Sequence, residues 1–217
     1  MTLDLSVYLV TDSAQAARSG RDIVDVVLEA VAGGVTTVQV REKHADTRRV
    51  LQLVEALADR LPPRVALFVN DRVDVFLAAR AHGARVTGVH VGQSDLPVED
   101  VRALIGAEPV IGLTANTPGD LSATVSSAAR VGYVGIGTVR DTVSKADAPP
   151  PLGVSGVIAL ASECALPAVA IGGVTPDDLP ALRAGGVAGA AVVSWVCASA
   201  DPRASARALA AAWEEGS

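Results

Sequence analysis

Residues 36–61 read TTVQVREKHADTRRVLQLVEALADRL. The first five residues are β-branched or apolar around one glutamine, the signature of a short buried strand. After a polar break, Val50, Val54, Leu57, Ala58 and Leu61 recur at helical spacing and form one apolar face. A strand apolar on both faces, followed by an amphipathic helix, is the unit from which parallel sheets are built.

The unit repeats along the chain. Apolar runs stand at 7–11 (VYLVT), 36–40 (TTVQV), 66–70 (ALFVN), 88–91 (GVHV), 110–114 (VIGLT), 133–137 (YVGIG), 168–171 (AVAI) and 189–193 (GAAVV). Ile23, Val26, Val27, Ala30 and Val31 form a helical face after the first run, and Ala206, Leu209, Ala210 and Trp213 form one after the last. Thr117-Pro118, Thr175-Pro176 and Asp201-Pro202 each set a capping side chain before a proline suited to the first helical position. Asp120 and Asp178 fall in the first turns that follow. Eight such units in 217 residues predict one (β/α)8 TIM barrel spanning residues 1–217, of the α/β class. The alternative, a doubly wound open sheet, usually has fewer strands and often a Gly-rich turn after the first. Here that place holds Thr11, Asp12 and Ser13.

Composition narrows the function. Half the residues are hydrophobic but only 3% are aromatic, so the core is expected to consist of Ala, Val, Leu and Ile. A net charge of −6 without a basic stripe argues against nucleic acid or an anionic membrane as partner. An anionic ligand must then be caught by a local group of cations. Cys164 and Cys197 have no metal-ligand spacing and are expected to be small buried hydrophobes. The start of the chain has no signal-peptide pattern, and the least polar stretch, 186–198, is too short to span a bilayer. A cytoplasmic protein is expected; oligomeric state has no signature here.

In this architecture the chemistry lies at the carboxyl ends of the strands. Gln39, Arg41 and Lys43 alternate along the end of the second strand and should face one side as an anion clamp. The competing reading is a solvated strand end with Glu42 in an ion pair. The third strand ends at Asn70-Asp71, and Asp95 follows the fourth. Two carboxylates beside an anion clamp suit Mg²⁺, which takes one or two protein carboxylates and completes its shell with phosphate and water. Otherwise the two aspartates simply cap helices. Thr114 ends the fifth strand. The 15-residue segment 138–152 lacks periodicity, which marks a functional or mobile loop, and it carries Thr142, Ser144 and Lys145. Gly172-Gly173-Val174 and Val193-Ser194 end the seventh and eighth strands, where barrels often bind phosphate through backbone amides; a plain tight turn is the alternative. His90 reads as a satisfied core residue, and no Ser-His-Asp arrangement or dinucleotide fingerprint is visible.

Taken together, QVREK (39–43), ND (70–71), HVGQSD (90–95), TVSK (142–145), IGGV (171–174) and VVS (192–194) resemble the motifs of the thiamine phosphate synthase family, in order and over nearly the whole chain. The resemblance implies an Mg²⁺-dependent condensation. The diphosphate of 4-amino-5-hydroxymethyl-2-methylpyrimidine would join 4-methyl-5-hydroxyethylthiazole phosphate, giving thiamine phosphate and diphosphate by a dissociative route. It implies that Gln39, Arg41, Lys43, Asn70, Thr114 and Lys145 hold the pyrimidine diphosphate, with Arg41, Lys43 and Lys145 meeting the leaving group. Asp71 and Asp95 would hold Mg²⁺, and Thr142, Ser144, Gly173, Val193 and Ser194 the thiazole phosphate. The chain departs from the family pattern at Thr114, Asn116, Thr138, Arg140, Asp141 and Ser144, and 82–87 resembles a short insertion. A thiazole tautomerase-like isomerase and a non-catalytic ligand-binding barrel are the alternatives; retention of both aspartates, Arg41, Lys43 and Lys145 argues against each.

Overall fold

Why the strands are apolar on both phases is plain from the computed structural model, which describes residues 3–141 and 150–216. One phase faces helices and the other faces the inside of a closed ring. The strands are β1 (Val7–Val10), β2 (Thr37–Val40), β3 (Ala66–Asn70), β4 (Gly88–Val91), β5 (Val110–Thr114), β6 (Tyr133–Gly137), β7 (Ala168–Ile171) and β8 (Gly189–Val192). Each pairs in parallel with the next, and β1 pairs with β8, so the barrel closes in strict chain order. The expected (β/α)8 barrel is the observed fold. Strands β3 to β7 have their expected bounds, and β1, β2 and β8 are each shorter by a single residue at one end.

The helices are α1 (Ser13–Arg18), α2 (Ile23–Ala32), α3 (Thr47–Arg60), α4 (Val73–Ala81), α5 (Val98–Ile105), α6 (Pro118–Ser126), α7 (Gly153–Ser162), α8 (Leu179–Ala184), α9 (Ser194–Cys197) and α10 (Pro202–Glu215). A 3₁₀ turn at Pro176–Asp178 leads into α8. Their start signals act as the local sequence requires. Thr117 and Asp120 form a reciprocal capping box, Thr175 and Asp178 another, and Asp201 accepts from the Ala204 amide at 2.9 Å. The ring of helices closes where α10 packs on α2, a contact close enough that a Cβ on Gly33 would lie 2.3 Å from the Arg203 carbonyl oxygen.

Alternation along the strands divides the apolar residues into two sets. Leu9, Val38, Leu67, Val89, Ile111 and Val134 belong to the large outer core against the helices. Tyr8, Val10, Phe68, Tyr133, Val169 and Ala191 form a separate inner cluster. Phe68 and Tyr133 meet edge to face with ring centroids 5.5 Å apart, so three rings plug the barrel below its carboxyl end. A core this poor in aromatics places three of its few rings together here.

Both cysteines are free. Cys197 is the buried hydrophobe expected, its thiol pushed up to about 12 by burial, while Cys164 is only half-buried at the edge of the outer core. Among the described residues no helix is long and apolar enough to cross a membrane.

Candidate active site

Above the aromatic plug lies a cavity of about 480 Å³, within the range of roughly 300–1,000 Å³ that small-molecule sites occupy. Its wall takes residues from the carboxyl end of every strand. Gln39, Arg41 and Lys43 all line it, as their alternation along β2 requires. Glu42 points the other way, accepting from the Thr11 hydroxyl at 2.9 Å and the Ser13 amide at 3.2 Å. Glu42 thus ties down the start of α1 and leaves Arg41 and Lys43 unneutralised by it.

Asn70, Asp71 and Asp95 line the same cavity. Neither aspartate caps a helix: α4 and α5 have Arg72 and Pro97 at their N-caps, without side-chain cap bonds. Asp71 adopts a left-handed backbone (φ 57°), unusual for a residue other than glycine and tolerated best by Asn and Asp. Burial and the adjacent Asp95 carboxyl push the Asp71 carboxyl up to about 6, against the opposing pull of Asn70 and Arg41. The two neighbouring carboxyls form an all-oxygen donor pair suited to a hard divalent cation. Among the described residues no cluster of three or more His, Cys, Asp or Glu could hold a metal ion.

The floor contains residues that sequence patterns do not single out. Gln39 Nε2 donates to the Tyr8 hydroxyl at 2.8 Å, and the Tyr8 and Tyr133 hydroxyls are 2.7 Å apart. The Tyr133 hydroxyl meets His90 Nδ1 at 3.0 Å, and His90 Nε2 meets the Thr114 hydroxyl at 3.1 Å. This hydrogen-bonded row runs unbroken across β2, β1, β6, β4 and β5. Burial raises both phenols well above their ordinary range, so they serve as neutral hydrogen-bonding groups. His90 is satisfied as expected, yet it belongs to the cavity wall rather than to the outer core. A signal for this floor is present in the sequence: the chain has only two tyrosines, and both stand on the inward phase of a strand.

Opposite the carboxylates, Gly172, Gly173 and Val174 after β7 and Val193 and Ser194 after β8 complete the wall. Both glycines have positive φ, 90° and 70°, and a Cβ on Gly172 would lie 2.6 Å from Thr138 Cβ. Glycine is therefore required both for conformation and for close approach. Thr138 and Asn116 also line the cavity, with Asn116 Oδ1 accepting from the Gly137 amide at 3.0 Å. Thr142, Ser144 and Lys145 lie outside the described residues. The two ends of that segment meet, since the Leu152 amide donates to the Thr138 carbonyl at 2.8 Å. Residues 82–87 follow α4 at the amino-terminal end of the barrel, where Arg85 binds the Leu61 carbonyl at 2.8 Å, and none of them lines the cavity.

The family model described as thiamine monophosphate synthase matches residues 7–196. The chain belongs to the thiamine monophosphate synthase family. It is 47% identical over 215 residues to the thiamine-phosphate synthase of Corynebacterium efficiens, an alignment that covers 99% of this chain and 98% of that one. The thiamine-phosphate synthase of Azorhizobium caulinodans is 42% identical, covering 95% and 93% of the two chains. A solved thiamine phosphate pyrophosphorylase from Pyrococcus furiosus superposes with a TM-score of 0.84 at 30% identity, covering 98% and 97%. Membership makes the chain an enzyme, a transferase of thiamine biosynthesis.

Proposed function

We propose that the enzyme condenses 4-amino-5-hydroxymethyl-2-methylpyrimidine diphosphate with 4-methyl-5-hydroxyethylthiazole phosphate, yielding thiamine phosphate and diphosphate with Mg²⁺. The observation that carries this reading is the convergence of Gln39, Arg41, Lys43, Asn70, Asp71 and Asp95 on one wall of a cavity whose other wall is the glycine turn after β7.

On this reading Asp71 and Asp95 would hold Mg²⁺, which when bound would supply positive charge to the diphosphate oxygens. Arg41 and Lys43 grip the same diphosphate, and Lys145 meets it from the 138–152 segment. Gln39 and Thr114, at the two ends of the hydrogen-bonded floor, present amide and hydroxyl groups to the pyrimidine. The backbone at Gly173, Val193 and Ser194 takes the thiazole phosphate, together with Thr142 and Ser144. The bond between the pyrimidine methylene carbon and the diphosphate oxygen breaks with its electron pair on oxygen. The thiazole nitrogen lone pair then forms the new C–N bond. That nitrogen carries no proton, so no general base is required, which agrees with a site built from cations and donors rather than a nucleophile–base pair. Holding both rings in one cavity lets nitrogen meet the cation before water does.

The test is to incubate pure protein with both substrates, with Mg²⁺ or with a chelator, and detect thiamine phosphate and diphosphate. Product formed only with the metal is expected. Binding of both substrates without product overturns the reaction, and equal turnover in chelator overturns the metal.

A further inference from the structure

Arg140 follows β6 near the mouth of the barrel, and its surroundings give it a definite task. Its guanidinium grips Asp178 with two bonds, Nη1 to Oδ2 at 2.5 Å and Nη2 to Oδ1 at 2.6 Å. The Asp178 side chain is 4% exposed and also accepts from the Thr175 amide at 2.8 Å and the Thr175 hydroxyl at 3.1 Å. Paired, planar bonds of this kind fix orientation as well as distance.

The same arginine holds the glycine turn. Its amide donates to the Gly172 carbonyl at 2.9 Å, and its Nη1 donates to the Gly173 carbonyl at 3.1 Å. In a trans peptide the carbonyl and the following N–H point in opposite directions. Securing the Gly172 carbonyl therefore turns the Gly173 N–H away from Arg140. Securing the Gly173 carbonyl does the same to the Val174 N–H. Neither N–H has a hydrogen-bond partner among the described residues. Gly172, Gly173 and Val174 line the cavity, whereas Arg140 and Asp178 do not.

We infer that Arg140, anchored by Asp178, is a positioning residue that aims the Gly173 and Val174 amides at an anionic phosphate without touching it. The inference rests on the proposed seat of the thiazole phosphate at this turn. Its chemistry is general: two preset N–H donors cost no reorganisation when an anion arrives.

The experiment measures the affinity of inorganic phosphate, of the thiazole phosphate and of the unphosphorylated thiazole alcohol in the full chain and in Arg140→Ala, Arg140→Lys and Asp178→Asn. Steady-state kinetics and circular dichroism accompany it. For Arg140→Ala, phosphate and thiazole phosphate affinity should fall roughly ten- to a hundredfold, as expected when hydrogen bonds to an anion lose their alignment. The alcohol should bind as before, and the loss should fall on KM for the thiazole phosphate with kcat at saturation nearly unchanged. Arg140→Lys should recover part of the loss, since lysine keeps the charge but not the paired geometry. Asp178→Asn decides between positioning and direct attraction. It frees the arginine, so positioning predicts weaker phosphate binding and direct attraction predicts tighter binding. Tighter or unchanged binding in Asp178→Asn overturns the inference, as does a lowered melting temperature with phosphate affinity intact in Arg140→Ala. Should Arg140→Ala fail to fold, the lysine and asparagine variants decide the question by the same readouts. Phosphate affinity that falls in the variants of a protein making no thiamine phosphate would uphold the inference and reject the proposed reaction.

Discussion

The hydroxyls of Tyr8 and Tyr133 lie 2.7 Å apart inside the barrel, joining residues 125 positions apart in the chain. Gln39 continues the link on one side and His90 with Thr114 on the other. A set of polar groups in so aromatic and apolar a place is stable only while its members satisfy one another.

Tyr133→Phe is therefore expected to destabilise the fold by about 1–3 kcal/mol, because it strips the Tyr8 hydroxyl of a buried partner. Tyr8→Phe should cost a similar amount by abandoning the Gln39 amide. The double variant should lose less than the sum of the two. Urea unfolding of all four proteins measures this, and additivity within about 0.5 kcal/mol would show the two hydroxyls to be uncoupled.

Asp71 sets a pH dependence in the metal-free protein. Its carboxyl is pushed up to about 6 by burial and by Asp95, from 3.8 in an unfolded chain. The folded state thus holds a proton that the unfolded chain has released between these values. The associated stability is full below about pH 4 and is lost as pH rises through about 6. In chelator at pH 7.5, Asp71→Asn should melt above the parent protein; at pH 4 the difference should vanish. Mg²⁺ should raise the melting temperature of the parent at pH 7.5 and leave Asp71→Asn unmoved. A metal response retained in Asp71→Asn would remove Asp71 from the ligand set.

Lys145→Ala should lower kcat by on the order of a hundredfold while KM for the thiazole phosphate changes little, since the proposed partner of this lysine is the departing diphosphate. Steady-state kinetics with each substrate varied in turn checks the split. Equal losses in kcat and in thiazole phosphate affinity would reassign the lysine.

Gly112→Ala tests the floor sterically. An added Cβ would lie 2.2 Å from Tyr133 Cζ and 2.4 Å from its hydroxyl oxygen. Overpacking of this kind costs about 1–3 kcal/mol, and here it also displaces the ring that joins Tyr8 to His90. Thermal melts should show a loss at least as large as that of Tyr133→Phe.

The barrel is legible in the sequence because buried parallel strands are apolar on both faces and return at regular intervals; each expected run contains an observed strand. Gln39, Arg41 and Lys43 can be placed for the same reason, since strand alternation is a local rule. What escapes a sequence reading depends on partners distant in the chain. Tyr8 looks like part of an ordinary strand because its meaning lies in Tyr133, 125 residues away. Asp178 reads as a helix-dipole charge, and it does accept from Thr175, but its strongest partner is Arg140. His90 is satisfied, as its place in a strand suggests, but its hydrogen bonds to Tyr133 and Thr114 make it part of the cavity floor instead of background packing.

Chain-order closure of the ring has an evolutionary corollary. On the proposed assignments, β2 to β4 furnish most of the grip on the diphosphate and its metal, whereas the segments after β6, β7 and β8 furnish the seat for the second phosphate and one diphosphate contact, Lys145. Apart from Lys145, each donor set is encoded by a contiguous stretch of gene. A chimera spliced just beyond Thr114 would inherit acceptor preference from one parent and most of its leaving-group handling from the other, with Lys145 and the shared floor as the places where the two must still agree.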